Sequence, residues 1–261
     1  MSNTGRDLRE GESASGSVST VTRFGTRIRR PVGPWTPAVH ALLQHLSTKD
    51  YLHSPRVRES IQEFEELDYL EGTVALRPWP PCLLKDSGII AIGEALNAYH
   101  HAVADFIPPP NAVWRDPDRR WSTGQIIRHG DLGPWNMVWR EDQLVGFIDW
   151  DMAEPGNTIE DIAQIAWHSV PLRTPELCQH CGVVPGKDQV HRFSLLCEVC
   201  HVSRMDALEV LREFQHREIE RTLHLASGGI EPWVGFHLRG DVASIDSDVK
   251  WLADFSAGQH I

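Results

Sequence analysis

Three polar residues near the middle of the chain have the types and spacing that suit chemistry on a metal-bound phosphate. Asp131, Asn136 and Asp149 supply carboxylate and amide oxygens. The alternating apolar run over residues 137–148 predicts a hairpin with a two-residue turn at 142–143. Symmetric pairing about that turn sets Asn136 opposite Asp149, with Cβ atoms about 5 Å apart. Two hard oxygen ligands that converge in this way are typical of a Mg²⁺ site.

Asp131 lies in the loop that leads into the predicted hairpin, and it could serve as a general base. A carboxylate that stands near a metal without binding it can orient a substrate hydroxyl and accept its proton. His129 precedes it and is predicted to brace the loop through a backbone carbonyl. Each of these residues alone could be an ordinary solvated loop residue, whereas their order and spacing together are specific.

The order His129-x-Asp131-x4-Asn136, followed by a hairpin and Asp149, is that of the catalytic loop and metal aspartate of protein kinases. Three segments also resemble the aminoglycoside phosphotransferase family, which includes antibiotic kinases and choline kinase. They read His-Gly-Asp-Leu-Gly-Pro-Trp-Asn at 129–136, Phe-Ile-Asp-Trp-Asp at 147–151 and Pro-Gly-Asn-Thr-Ile-Glu-Asp-Ile-Ala at 155–163. The flanks at 21–37 and 102–110 extend the resemblance to most of the chain.

This resemblance implies a small-molecule kinase that moves the γ-phosphoryl group of ATP or GTP to a hydroxyl of an aminoglycoside-like compound or another metabolite. It implies that Asp131 is the catalytic base and that Asn136 and Asp149 are the Mg²⁺ ligands. Asp161 matches an aspartate that supports the catalytic loop from the following helix, together with His129.

The elements that would position these residues indicate an α+β, two-lobed, protein-kinase-like fold with a small β-rich N-lobe and a larger, mostly helical C-lobe. We expect a disordered tail at 1–10, a nucleotide lobe at 11–75 and a catalytic and substrate lobe at 76–261. Apolar periodicity predicts helices at 36–46, 89–106, 189–202, 203–226 and 246–255. A further helix should begin after Asn157, with Glu160 completing a capping box.

The nucleotide lobe departs from the family pattern at its usual phosphate-binding lysine, because no lysine precedes Lys49. Arg29 stands at the matching position, and strand alternation predicts that it faces the nucleotide if Ile28 packs under the following helix. That helix offers no carboxylate to pair with Arg29, and the predicted nucleotide loop at 11–16 is only modestly glycine-rich. A catalytically weak nucleotide-binding pseudokinase is therefore the first alternative.

Two acidic residues beyond the metal motif, Asp151 and Glu154, could contact a cationic substrate or could be ordinary solvated loop residues. The sequence does not name the acceptor, because the helical segment at 172–240 carries no recognisable motif.

A second alternative comes from the cysteines. Two Cys-x-x-Cys pairs have a spacing known from zinc sites, and a zinc-stabilised interaction protein is conceivable on that basis alone. Their placement in an apolar, helical context favours packing instead, so zinc is not expected. The residues are Cys178, Cys181, Cys197 and Cys200.

Composition narrows the function classes further. The 261 residues carry 25 Lys and Arg against 36 Asp and Glu, a net charge of −11, which argues against a nucleic-acid partner. No apolar stretch is long enough to span a membrane, and residues 1–20 lack the apolar segment of a secretory signal. With five cysteines, an odd number, we expect free thiols and a cytoplasmic location.

Overall fold

The computed structural model describes residues 8–9, 11–15, 20–61 and 63–258 of the chain. Most of the tail predicted at 1–10 lies outside these residues, as does the last residue of the predicted nucleotide loop. Antiparallel strands dominate the N-terminal part and helices the C-terminal part, which confirms the α+β fold with a small β-rich N-lobe and a larger, mostly helical C-lobe.

The N-lobe consists of one antiparallel sheet and one helix. The sheet has the order β1-β2-β3-β5-β4. Helix α1 connects β3 to β4, begins where the sequence predicts, and buries the apolar side of its period-3.6 pattern. The elements are β1 Ser13–Ser15, β2 Thr20–Phe24, β3 Arg27–Pro31, α1 Thr36–Thr48, β4 Val57–Ser60 and β5 Phe64–Asp68.

The C-lobe is built around two long helices. Helix α3 packs against α6, and α7 packs against α4, α8 and α9. The helices are α2 Pro81–Leu84, α3 Asp86–Val103, α4 Thr158–His168, α5 Pro175–Cys181, α6 Lys187–Val199, α7 Arg204–Ser227, α8 Trp233–Arg239 and α9 Asp241–Gly258. The sequence did not predict α5 and α8, which are short, and α9 begins before residue 246. No helix in the described part of the chain is long and apolar enough to cross a membrane.

Two small antiparallel sheets beside these helices carry the polar residues singled out above. One has the order β6-β8-β9, and the other pairs β7 with β10. Their strands are β6 Thr73–Val74, β7 Ile126–Arg128, β8 Met137–Arg140, β9 Gln143–Phe147 and β10 Glu154–Gly156. Helix α4 follows β10 and begins with the predicted capping box, in which the backbone N–H of Asn157 donates to Glu160 at 2.9 Å.

The β8–β9 hairpin exists, but its predicted register is wrong. Arg140 pairs with Gln143, so the turn residues are 141–142. Glu141 adopts a left-handed conformation with φ of 55°, which lets the chain reverse one residue earlier than expected. An irregularity opposite Val138 then inserts one extra residue into β9. As a result, the backbone oxygen of Asn136 accepts from Ile148 rather than lying opposite residue 149.

Candidate active site

Strand β7 leads into the loop at 129–136, which is fastened to helix α4 by one side chain. Gln164 donates to the backbone oxygen of Gly130 at 3.0 Å and accepts from the N–H of Leu132 at 3.0 Å. Gly130 has φ of 82°, and a Cβ there would lie 1.8 Å from the carbonyl oxygen of Met152. The tight path of the loop therefore depends on this glycine.

Sequence reasoning missed Gln164 and assigned the support of the loop to Asp161. Asp161 is fully buried, but it contacts His100, 3.1 Å away, and its second oxygen has no hydrogen-bond partner. Gln164 lies three residues further along α4, which is about one turn. Its position one helical turn after Asp161, on a helix that the sequence predicted, could have identified Gln164 as a further candidate.

His129 braces the loop as predicted, through two backbone contacts. Its Nε2 donates to the carbonyl oxygen of Ile148 at 3.0 Å, and its Nδ1 accepts from the N–H of Asp131 at 3.3 Å. These contacts require the neutral ring with the proton on Nε2. Burial agrees, because it lowers the pKa of His129 to about 4. The ring ties the loop to the strand end that carries Asp149.

Asp131 is held by two neutral donors from its own loop. Asn136 Nδ2 donates to its Oδ2 at 2.7 Å, and Trp135 Nε1 lies 3.3 Å from Oδ1 and 3.2 Å from Oδ2. Burial and the negative charge of Asp149 raise the pKa of Asp131 to about 6, against the smaller opposite effect of these hydrogen bonds. Asp149 is therefore close enough to Asp131 to affect its charge.

Asp149 follows β9 in a left-handed conformation, with φ of 59° and ψ of 64°. This conformation is uncommon for a residue with a side chain. One carboxylate oxygen of Asp149 lies 3.2 Å from NH1 of Arg30, while 39% of the side chain stays exposed. The same short segment therefore joins half-buried Ile148 to the backbone of Asn136 and presents Asp149 to the space between the lobes.

Arg30, and not Arg29, reaches these carboxylates from the N-lobe. Its side chain is 4% exposed and contacts Glu65 at 2.8 Å, Asp149 at 3.2 Å and Asp151 at 2.7 Å. Burial acts to lower the pKa of Arg30, but the three carboxylates outweigh it and raise the pKa. Arg29 instead lies on the exposed face of β3, where it pairs with Glu66 at 2.6 Å.

The placement expected for Arg29 was wrong because the cleft lies on the same face of the sheet as α1. Ile28 and Arg30 share that face, since they are two residues apart on β3. The carboxylate partner missing from α1 comes from the neighbouring strand, where Glu65 pairs with Arg30 in register. Helix α1 contributes His40, which contacts the second oxygen of Glu65. Arg30 therefore forms its ion pair with a strand carboxylate, Glu65, and the helix contributes the imidazole of His40 as a second partner of Glu65.

Asp151 and Glu154 are buried and paired with arginines, so the interpretation of them as solvated loop residues was wrong. A cationic substrate would have to compete with these arginines. Asp151 is 7% exposed and pairs with Arg30 and with Arg115, the latter at 3.5 Å. Glu154 is 2% exposed and contacts Arg128 and Arg221, the latter at 2.9 Å. Both acids are neutralised by arginines from distant parts of the chain.

Glu154 is the anchor of this buried arginine cluster, and its removal should destabilise the protein. In Glu154→Gln, Arg221 would keep Glu218 at 2.6 Å, but buried Arg128 would keep only Glu160 at 3.9 Å. This loss of buried countercharge should reduce the free energy of unfolding by up to about 3–5 kcal/mol. Urea unfolding at pH 7 measures this change. The matched control is Glu220→Gln on the exposed side of α7, which should change stability by less than about 0.5 kcal/mol.

The same pair of variants gives a pH test. Burial acts to raise the pKa of Glu154, but Arg221 and Arg128 outweigh it and lower the pKa from 4.5 to about 2. The unfolded chain therefore binds a proton below about pH 4.5 that the folded chain does not bind until about pH 2. Glu154 stabilises the wild type above that window and loses its contribution as the pH falls through it. The stability gap between wild type and Glu154→Gln should shrink between pH 5 and 3, and a constant gap would contradict the ion-pair account.

The four cysteines of the two Cys-x-x-Cys motifs are buried in the hydrophobic core as free thiols. Among the residues that the structure describes, no group of three or more His, Cys, Asp or Glu side chains is arranged to hold a metal ion. Cys178 Sγ contacts the carbonyl oxygen of Val183, and burial raises the pKa of Cys178, Cys197 and Cys200 to about 12. Neutral, buried thiols of this kind are packing residues. The geometry gives the zinc hypothesis no support.

The residues at the cleft do fit a divalent cation that binds together with phosphate. Asp149 offers an exposed carboxylate, and Asn136 has its amide nitrogen turned to Asp131, which leaves the amide oxygen as the ligand atom. Burial is the main cause of the raised pKa of Asp131, and the negative charge of Asp149 adds to it, a charge that a cation would offset. Two oxygen ligands from the protein, with the rest from phosphate and water, are the usual arrangement for Mg²⁺.

Comparisons with known proteins agree with this geometry. The model of the phosphotransferase enzyme family matches residues 110–179, which include the loop, the hairpin and α4. The trifolitoxin immunity protein of Rhizobium leguminosarum bv. trifolii is 33% identical over 195 residues, which cover 72% of this chain and 73% of that protein. The chain therefore belongs to the phosphotransferase enzyme family.

Solved structures show the same fold. Amicoumacin kinase hAmiN, in complex with AMP-PNP, Ca²⁺ and Ami, superposes with a TM-score of 0.62 at 10% identity, over 98% of this chain and 89% of that chain. The gentamicin complex of APH(2″)-IIa superposes with a TM-score of 0.54 at 11% identity, over 96% of this chain and 91% of that chain. At this level of identity the likeness establishes the fold.

Proposed function

We propose that this chain is a small-molecule kinase that transfers the γ-phosphoryl group of ATP or GTP to a hydroxyl group. The observation that carries the proposal is the hydrogen-bonded pair of Asp131 and Asn136 beside the strand end that carries Asp149, which Arg30 contacts from the other lobe. Phosphoryl transfer requires little covalent participation by the protein, and positioning with charge stabilisation supplies most of the rate. This set of residues provides both.

Each residue has a distinct part in the proposed reaction. Asp131 accepts the proton of the acceptor hydroxyl while the hydroxyl oxygen attacks the γ-phosphorus. Asn136 and Asp149 would hold Mg²⁺, which when bound neutralises the charge that builds up on the phosphates. Arg30 would contact the phosphates by exchanging its longest carboxylate contact, that with Asp149 at 3.2 Å, for phosphate oxygens when Asp149 binds the metal. Arg29 lies outside the site, and we propose no role for it in nucleotide binding.

The two lobes divide the work in this proposal. Residues 11–75 would bind the nucleotide, residues 76–261 would supply the reacting groups and the acceptor site, and the enzyme would act in the cytoplasm. The rebuilt Arg30–Glu65–His40 set favours an active kinase over the pseudokinase alternative, because the departure from the usual lysine and glutamate is compensated within the same lobe.

The sequence suggested that acidic residues of the site could select a cationic acceptor, but the charges of the site do not favour that class. The two acids expected to attract a cation are already paired with arginines, so the site offers no evident preference for a polycation. Compounds named with the relatives are the first to test as acceptors: gentamicin, amicoumacin and trifolitoxin. Neutral and anionic alcohols belong in the same panel.

The test is transfer of labelled γ-phosphate from ATP or GTP to this panel in the presence of Mg²⁺. We expect label in the small-molecule fraction for at least one acceptor. Asp149→Asn should abolish transfer, and Asp142→Asn, an exposed aspartate at the tip of the hairpin, should not change it. Nucleotide binding without transfer to any acceptor would favour the pseudokinase, and absence of nucleotide binding would reject both.

A further inference from the structure

Trp135, in the loop at 129–136, makes polar contacts with Asp131 in addition to packing against the C-lobe. It lies in the short helical turn Pro134–Asn136, directly before the proposed metal ligand. Its indole Nε1 is 3.3 Å from Oδ1 and 3.2 Å from Oδ2 of Asp131. An indole has one N–H and no acceptor, so this contact has one direction, from the ring to the carboxylate.

The loop is shaped to seat this ring. A Cβ on Gly133 would lie 2.2 Å from Cζ2 of Trp135, so any other residue at 133 would collide with the indole. The ring meets His168 of α4 edge to face, with centroids 5.0 Å apart. His168 in turn stacks on Trp167, with centroids 4.5 Å apart, and Trp167 donates to Asp248 of α9 at 3.0 Å. Two helices of the C-lobe therefore fix the indole.

The hydrogen bonds to Asp131 are unequal, and the inequality distinguishes its two oxygens. Oδ2 accepts from Asn136 at 2.7 Å and also faces Trp135, whereas Oδ1 has only the longer Trp135 contact. An N–H···O distance of 3.3 Å is at the weak end for a hydrogen bond. Oδ1 therefore keeps the lone pair that a substrate hydroxyl could use.

We propose that Trp135 is a positioning residue: its indole N–H, shared between the two oxygens, holds the Asp131 carboxylate with Oδ1 turned toward the acceptor hydroxyl. The inference rests on the proposed function, because it presupposes that Asp131 is the base. In the reaction, the hydroxyl proton passes to Oδ1 as the oxygen–phosphorus bond forms. The bond between the γ-phosphorus and its bridging oxygen breaks, and the nucleoside diphosphate leaves with that electron pair.

The charged surroundings of Asp131 make such a neutral clamp necessary. Asp149 from the hairpin and Glu218 from α7 both repel its charge, and neither carboxylate can hold it in place by donating a hydrogen bond. His168, on the far side of the indole, is also uncharged at neutral pH, because burial and the charges of Arg173 and Arg77 lower its pKa well below the usual range. Orientation of the carboxylate thus depends on Asn136 and Trp135.

The first experiment compares Trp135→Phe with the wild type in the transfer assay. Phenylalanine keeps an aromatic ring in the pocket and removes the N–H. Loss of one hydrogen bond to a charged group should lower kcat by about tenfold to hundredfold, with the KM for nucleotide unchanged. Trp121→Phe is the matched control, because Trp121 is a half-buried loop tryptophan whose N–H donates to the carbonyl oxygen of Gln125 at 3.0 Å. That variant should keep the wild-type kcat.

A second readout needs no activity. The indole ¹H–¹⁵N signal of Trp135 can be assigned by its loss in Trp135→Phe, and it should shift in Asp131→Asn but not in Asp142→Asn. An unshifted signal would refute the contact, and a wild-type kcat in an active Trp135→Phe enzyme would refute the positioning role. If the wild type transfers phosphate to no acceptor, the proposed function fails and this proposal with it, while the indole signal still reports whether the contact exists.

Discussion

Asp131→Asn is expected to lower kcat for phosphoryl transfer by about 10²–10⁴-fold while leaving the affinity for nucleotide unchanged. The amide cannot accept the hydroxyl proton, yet it has nearly the same shape as the carboxylate. Its oxygen can still accept the hydrogen bonds from Asn136 and Trp135 that order the loop. Steady-state kinetics with the acceptor found in the screen, together with calorimetric titration of nucleotide, separate the two effects.

Asp142→Asn is the matched control for this substitution. It makes the same chemical change on an exposed aspartate of the adjoining hairpin, whose partner Lys85 is also exposed. Wild-type kinetics are expected for it. Near-normal turnover in Asp131→Asn would remove Asp131 from the reaction, whereas a parallel loss of nucleotide affinity would indicate that it acts on nucleotide binding rather than on the acceptor.

The second large expected effect is a loss of stability on removal of Arg30, compared with its neighbour Arg29 on the opposite face of β3. Arg30→Ala would leave Glu65 buried and Asp149 and Asp151 without their shared cation, which should destabilise the fold by about 3–5 kcal/mol. Arg29→Ala removes only an exposed pair with Glu66, so it should change stability by less than about 1 kcal/mol. Thermal and urea unfolding of the two variants measure the difference.

Activity separates the two arginines as well. Arg30→Lys keeps the positive charge and should remain folded, but a lysine cannot bridge three carboxylates as the guanidinium does. We expect a higher KM for nucleotide in Arg30→Lys and wild-type kinetics in Arg29→Ala. If Arg29→Ala raised the KM and Arg30→Lys did not, the nucleotide contact would belong to the exposed face of β3, and our assignment would be wrong.

The polar residues of the site could be predicted from sequence because they are close together in it. Asp131 and Asn136 share one loop, Asp149 follows within one hairpin, and Asn157 caps α4 by a local pattern that the structure reproduces. His129 was expected to contact a backbone carbonyl, but the sequence did not say that this carbonyl would be that of Ile148. Such features depend on geometry within about twenty residues, where periodicity and turn chemistry act.

The partners of the buried charges could not be predicted in this way. Arg30 lies 121 residues from Asp151, and Arg221 lies 67 residues from Glu154. The first contact joins the two lobes, and the second joins α7 to β10, so both depend on tertiary packing. The cleft position was assigned to Arg29 instead of Arg30 for the same reason. Alternation along β3 defines two faces, but it does not say which face meets the C-lobe.

The hairpin register shows a different limit. Symmetric pairing from an assumed turn gave the correct element and the wrong partners. A left-handed residue at Glu141 moved the turn by one position, and the irregularity in β9 then restored part of the shift. Asp149 then follows the strand in a left-handed conformation that simple alternation does not anticipate.

A structure of the protein with Mg²⁺ and a non-hydrolysable nucleoside triphosphate tests the central claim most directly. We predict one metal ion bound to the side-chain oxygens of Asn136 and Asp149 at roughly 2.1 Å. We further predict that Asp131 stays off the metal, with Oδ1 facing the γ-phosphate. A metal ion bound away from Asn136 and Asp149, or coordinated by Asp131 in place of either, would contradict the account.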